Sequence, residues 1–127
     1  MTSDQAPRKT VMLVDDDDDM RDVLAALLEE RHYDVVQAAN GAEALRLLAS
    51  GEAGCHIILL DLMMPVMNGW DFRRRQKEKP EWASIPVVLM SSGGQIAFGT
   101  DGLDAAAYVP KPVDLADLIE TVQRHCG

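Results

Sequence analysis

The sequence predicts an α/β fold, a five-stranded parallel sheet with helices on both faces. Three observations carry that prediction. Five short apolar runs alternate with segments of helical period. The third run, Ile57-Ile58-Leu59-Leu60, is apolar at every position, as a strand covered on both faces requires. No linker, repeat or low-complexity segment interrupts the alternation apart from an acid run at residues 15–19. Such alternation implies right-handed crossovers that place helices above and below the sheet.

The elements follow in order. Val11-Met12-Leu13-Val14 is the first strand. Met20, Val23, Leu24, Leu27 and Leu28 then repeat at i, i+3, i+4, i+7 and i+8, one face of a helix. Asp18 or Asp19 is expected to cap its start, where the helix dipole favours an acid. Residues 34–39, around Val35-Val36, form the second strand, and Asn40-Gly41 is turn chemistry. Ala44, Leu45, Leu47 and Leu48 mark a second helix over 42–49, closed by Gly51 and Gly54. After the third strand and Asp61 comes a loop with Pro65, and Gly69 leads into a helix over 70–78. Residues 86–90 are the fourth strand and 106–110 a short fifth. Asp114 is placed to cap a last helix whose buried face is Leu115, Leu118, Ile119 and Val122.

The 127 residues amount to one domain, read as a flexible tail over 1–9 and a folded unit over 10–125. With 47% hydrophobic and 26% charged residues, the balance is that of an ordinary globular protein, and disorder is excluded. A net charge of −9 has the wrong sign for a nucleic-acid binder. Apolar runs of about five residues are far short of the ~20 needed to span a membrane. The polar first ten residues lack the core of a signal peptide, which argues for a cytoplasmic chain. Cys55 reads as a small, at least half-buried residue and Cys126 as a tail residue. A disulfide between them stays open, although a cytosolic thiol is usually reduced.

In open parallel sheets, ligands bind beyond the carboxyl ends of the strands, so the residues just after each strand carry the functional signal. Asp15 and Asp16 follow the first strand, and Asp61, Ser91 and Lys111 end the third, fourth and fifth. Four separate segments therefore deliver polar side chains to one edge. Three carboxylates gathered there repel one another, at about 4 kcal/mol per pair at ~4 Å and an effective dielectric of ~20. Lys111 alone does not balance them, so the cluster must bind protons or a cation. An all-oxygen site with few protein ligands suits Mg²⁺. A carboxylate lone pair can then attack phosphorus, with a lysine and a hydroxyl holding the phosphoryl oxygens.

These residues resemble the receiver (response regulator) domain of two-component signalling. The matching pieces are Leu13-Val14-Asp15-Asp16-Asp17, Asp61-Leu62-Met63-Met64-Pro65 with Asn68-Gly69, Pro86-Val87-Val88-Leu89-Met90-Ser91-Ser92, and Tyr108-Val109-Pro110-Lys111-Pro112. They run in order over nearly the whole chain. The resemblance implies a flavodoxin-like strand order of 2-1-3-4-5, an order the doubly wound folds of this kind are known for. It implies that Asp61 accepts a phosphoryl group from a histidine kinase or histidine phosphotransfer protein. It implies Mg²⁺ bound directly by Asp16, Asp61 and the carbonyl of Met63, with Asp15 acting through a metal-bound water. Ser91 and Lys111 would contact the phosphoryl oxygens, and Tyr108 would be the aromatic switch that turns inward when Ser91 moves. A cis Lys111-Pro112 bond is also implied. The implied activity is a phosphorylation-dependent change of partner-binding surface by a stand-alone receiver. Its only catalysis would be its own phosphorylation and slow dephosphorylation, with no direct nucleic-acid or membrane contact and an unnamed downstream protein as partner.

Two departures from the family pattern stand out. Pro110 replaces an apolar strand residue, which an edge strand tolerates. Residues 93–102 hold four glycines and predict a short or frayed helix. Two other readings use the same residues. One is a phosphorylation-independent receiver scaffold. The other is a phosphatase of haloacid-dehalogenase type with Asp15 as nucleophile; against it, Asp19 stands where Thr or Val is usual and no strand-plus-acid pair follows Lys111.

Several features have plainer readings. Asp17, Asp18 and Asp19 read as capping and solvation. An EF-hand starting at Asp15 fails, because Met20 and Ala26 occupy its sixth and twelfth positions. Met63, Met64 and Met67 read as loop packing, Trp70 and Trp82 as packing beside the third helix, and His32, His56 and His125 as unclustered. His56 begins a strand and can cap it. The basic stretch over 73–79, with five cations and one anion, reads as a solvated helix face, or alternatively as a surface for an acidic partner.

Overall fold

The computed structural model describes residues 8–51, 55–91 and 105–126. Its elements are β1 (Thr10–Val14), α1 (Asp18–Glu30), β2 (Asp34–Ala38), α2 (Gly41–Ser50), β3 (Ile57–Asp61), α3 (Gly69–Lys77), a single turn α4 (Pro80–Ala83), β4 (Val87–Ser91), β5 (Ala107–Pro110) and α5 (Leu115–Cys126). The sheet order is β2-β1-β3-β4-β5 with every pairing parallel, the order the family resemblance implies. The expected tail over 1–9 falls mostly outside the described residues, as do Gly54 and the glycine-rich 93–102 segment.

Strand alternation divides the core in two. Val11, Leu13, Ile57, Leu59, Val88 and Met90 face α1 and α5, meeting Leu24, Leu28, Leu118, Ile119 and Val122. Met12, Val14, Ile58, Leu60, Val87 and Leu89 face the other way, meeting Ala44 and Leu48 of α2 and Phe72 of α3. β3 and β4 are buried along their whole length, the physical reason their sequences are apolar at consecutive positions.

Side-chain caps set the helix starts. Asp17, not Asp18 or Asp19, caps α1 by accepting from the Met20 N–H at 3.0 Å. The other two lie in the first turn, where the dipole still favours them. Asn40 accepts from the Glu43 N–H at 2.9 Å while Glu43 accepts from the Ala39 N–H at 2.8 Å, a reciprocal cap on α2. Asn68 and Asp114 cap α3 and α5 by accepting from the Asp71 and Asp117 N–H groups, at 2.9 and 3.1 Å. Gly51 ends α2 in the left-handed conformation, φ 72°.

Three expectations need correction. Leu115 is 40% exposed and not part of the buried face, because it opens α5 before the helix settles onto the sheet. Cys126 is buried in the α1/α5 core and is no loose tail residue. Arg73 is buried, unlike the other cations of the basic stretch: it donates to Gln76 at 2.7 Å, and Gln76, itself buried, donates to the carbonyls of Trp82 and Ile85. That chain of bonds ties α3 to α4 and the start of β4. The α4 turn itself is too short for periodicity to show, and its signal is Pro80 at the first helical position. Cys55 packs on the opposite side of the sheet from Cys126, and both are free thiols. Burial pushes the Cys55 thiol up to about 11, so it is unreactive at neutral pH.

Gly69 sets the approach of α3 to the sheet. A Cβ there would lie 2.7 Å from the Leu62 Cα and 2.8 Å from the Asp61 carbonyl oxygen, both backbone atoms. Gly69→Ala is therefore expected to destabilise the fold by about 1–3 kcal/mol, although alanine is the better helix former. Urea unfolding checks this, and a variant as stable as the parent would contradict it.

Candidate functional site

Four of the five strands, β1, β3, β4 and β5, supply a part of the site at their carboxyl ends. Asp15 directly follows β1, its N–H donates to the Ala38 carbonyl at 3.1 Å, and it is 1% exposed. Its Oδ1 accepts from the Asp17 N–H at 3.0 Å, which folds the chain into the start of α1. Asp61 closes β3 and is 3% exposed; its Oδ1 accepts from the Met63 N–H at 3.3 Å. Lys111 follows β5, held in place by its N–H to the Ser91 carbonyl at 3.0 Å. Its Nζ reaches Asp15 Oδ2 at 3.0 Å and Asp61 Oδ2 at 3.4 Å. Asp16 is exposed, yet one carboxylate oxygen from each of Asp15, Asp16 and Asp61 lies within 4.8 Å of the others.

The structure thus brings together Asp15, Asp16, Asp61 and Lys111. Ser91 is fully buried at the end of β4, the strand beside β3. Met63 places its backbone against Asp61 and its side chain outward, 54% exposed. Tyr108 lies on edge strand β5, outside the cluster, and is 42% exposed. The Lys111-Pro112 bond is cis.

Burial and the neighbouring Asp15 charge raise the Asp61 carboxyl to about 6, and Lys111 only partly offsets them. Burial disfavours the Lys111 ammonium, but its bond to Asp15 and the charges of Asp61 and Asp15 outweigh that, and its pKa is raised. One half-buried cation therefore does not neutralise the carboxylates around it. The donor set is all oxygen with net negative charge, which fits a small hard cation.

Arg21 belongs to the site and was not singled out in the sequence. Its guanidinium donates to the Asp15 carbonyl and to the Asp18 carboxylate, and its Nε reaches Gln37 of β2 at 3.2 Å. It fastens the turn between β1 and α1. The available signal is its position four residues after the Asp17 cap, as the first cation after five aspartates. Of the histidines, His56 has a role: its Nδ1 accepts from the Thr10 N–H at 3.0 Å, joining the starts of β1 and β3. Met64, Met67, Trp70 and Trp82 pack on the α2/α3 core, as expected.

A doubly wound parallel domain with buried acids and a lysine at its carboxyl edge is the class that fold and site define. The chain belongs to the response regulator receiver domain family, whose pattern it matches over residues 11–123. It is a receiver domain of two-component signalling, a class phosphorylated on aspartate. It is 31% identical to the DNA-binding dual master transcriptional regulator RpaA of Synechocystis, covering 89% of this chain and 47% of that protein. It is 32% identical to a 14.6 kDa protein of Leptolyngbya boryana, covering 91% of this chain and 88% of that one. The chemotaxis protein CheY4 of Vibrio cholerae superposes with a TM-score of 0.82 at 26% identity, over 94% of this chain and 99% of that one. The chain spans about half or less of the first three curated relatives it matches. Among the described residues, no helix is long and apolar enough to cross a membrane.

The raised Asp61 carboxyl has a pH consequence in metal-free protein. Between the ordinary value of 3.8 and about 6, the folded state holds a proton that the unfolded chain has released. The stability due to Asp61 is therefore present below pH ~4 and lost as pH rises through ~6. Asp61→Asn removes this titration. In chelator-treated protein, the stability of Asp61→Asn relative to the parent is expected to grow from pH ~4 to ~6.5 and then level off. A difference independent of pH would contradict the raised carboxyl.

Proposed function

We propose that this chain is a phosphorylation switch in which Asp61 is the phosphoacceptor. The observation that carries the reading is the pair of contacts from one Lys111 ammonium to Asp15 and Asp61. They leave the Asp61 carboxylate at the open edge of the sheet beside a fixed cation. An oxygen of Asp61 forms the new P–O bond while the P–N bond of a phosphohistidine breaks. The imidazole leaves with the bonding electrons and takes up a proton. The donor is the histidine of a kinase or phosphotransfer protein.

Asp16, Asp61 and the Met63 carbonyl would hold Mg²⁺. Asp15, which accepts from the Asp17 N–H and from Lys111, would act through a metal-bound water. When bound, the metal supplies positive charge against the carboxylates and the phosphoryl oxygens. Lys111 contributes an ammonium to one phosphoryl oxygen, and Ser91, on the neighbouring strand, contributes its hydroxyl to another. Drawing Ser91 toward the phosphoryl group shifts the end of β4. Tyr108, half exposed on the adjoining β5, is positioned to turn inward and report that shift to a partner protein. The chain acts in the cytoplasm on this reading.

Incubation with acetyl phosphate and Mg²⁺ is expected to add one phosphoryl group, seen as a mass increment, that maps to Asp61 and is absent in Asp61→Ala. Lys111→Ala is expected to slow the reaction by tenfold or more, the scale of losing one electrostatic donor (~10²–10³). Label on Asp15, or an adduct that survives in Asp61→Ala, would overturn the assignment.

A further inference from the structure

A second surface lies at the opposite edge of the sheet. Helices α2 and α3 run back from the carboxyl edge, so their last turns reach the edge where the strands begin. A depression of about 660 Å³ there is lined in part by Cys55 and Ile85, just ahead of β3 and β4, and by Trp82. A second one, of about 350 Å³, is lined by Leu45, Ala49 and Trp82, with Arg46, Arg75, Lys79 and Glu78 at its rim. The two share Ala49, Lys79 and Trp82. They meet over a half-buried tryptophan, the residue type that most often anchors a protein interface. Both volumes exceed the ~300 Å³ lower end of ligand-holding pockets.

The rim charge is unbalanced. Arg74 is satisfied by Asp71 at 3.0 Å, and Arg46 lies 3.8 Å from Glu43. Arg75 and Lys79 form no ion pair among the described residues, and Lys79 sits 5.4 Å from the centre of the Trp82 ring. Around the second depression three cations face one anion, Glu78, and Glu81 lines the first; the balance over both is positive, on a chain whose net charge is −9. An anionic partner is repelled by most of the molecule and attracted here, which selects this face. The apolar floor gives a large side chain a place to bury.

We propose that this groove, formed by α2, α3 and α4, docks an acidic segment of a partner protein that inserts an aromatic or large aliphatic side chain against Trp82 between Arg46, Arg75 and Lys79. Protein is favoured over nucleic acid because the overall charge opposes a polyphosphate and because the floor is apolar.

The test is a set of amide correlation spectra of the full chain. The probes are a synthetic peptide of Glu, Asp, Leu and Phe, the same peptide with Gln at every acid, and oligothymidylate. The acidic peptide is expected to shift amides in residues 45–49 and 75–85. It is expected to bind about tenfold tighter than the Gln peptide, with oligothymidylate weaker than either. The surface variant Arg75→Glu with Lys79→Glu should weaken it a further tenfold or more while keeping the parent's melting temperature. Trp82→Phe should keep the fold and bind less tightly. Absence of shifts on this face, equal binding by the charge-reversed variant, or preference for oligothymidylate would each overturn the proposal.

Discussion

Lys111 reaches two buried carboxylates at once, 3.0 Å from Asp15 and 3.4 Å from Asp61, and much of the fold is arranged to make that possible. The three residues come from the ends of β1, β3 and β5, and a parallel sheet delivers the carboxyl ends of all its strands, the neighbours β1 and β3 included, to one edge. The order β2-β1-β3-β4-β5 puts Asp15 beside Asp61, with Ser91 between Asp61 and Lys111 in the sheet. A charge cluster of this kind costs free energy. The buried apolar strands and two helical layers on either side supply the stability that tolerates it.

The imbalance is what makes the site a site. A single ammonium between two carboxylates, with a third carboxylate within 4.8 Å, leaves net negative charge at a sheet edge with Asp61 raised to about 6. The groups that surround it are positioned by backbone contacts. The Lys111 N–H is held by Ser91, the Asp15 N–H by Ala38, and the Asp15 carbonyl by Arg21. Gly69 lets α3 approach to within contact of the Asp61 carbonyl, so the helix start and β3 are fixed together.

Much of this was legible in the sequence, for physical reasons that can be named. Ile57 to Leu60 could only be a doubly covered strand, and Asp61 at its end had no structural excuse. The family resemblance added the strand order. Caps were misplaced by one residue at α1 because five consecutive aspartates offer equivalent chemistry, and only the backbone geometry selects Asp17. The burial of Cys126 was hidden because it depends on Tyr33 and the α1 core far along the chain, and that of Arg73 because its partner Gln76 is fixed by the carbonyls of Trp82 and Ile85, which the short α4 turn brings back onto α3. Arg21 was missed for the same reason: its contact with Gln37 joins α1 to β2 only in three dimensions.

The central claim is that Lys111 alone leaves the carboxylates of Asp15, Asp16 and Asp61 under-neutralised. The most direct measurement is the melting temperature of the parent and of Asp16→Asn across a Mg²⁺ titration at constant ionic strength. The account predicts a saturable rise for the parent and a much smaller one for Asp16→Asn, because a ligand that binds only the folded state raises its midpoint. A parent midpoint that stays unchanged at saturating Mg²⁺ would contradict it.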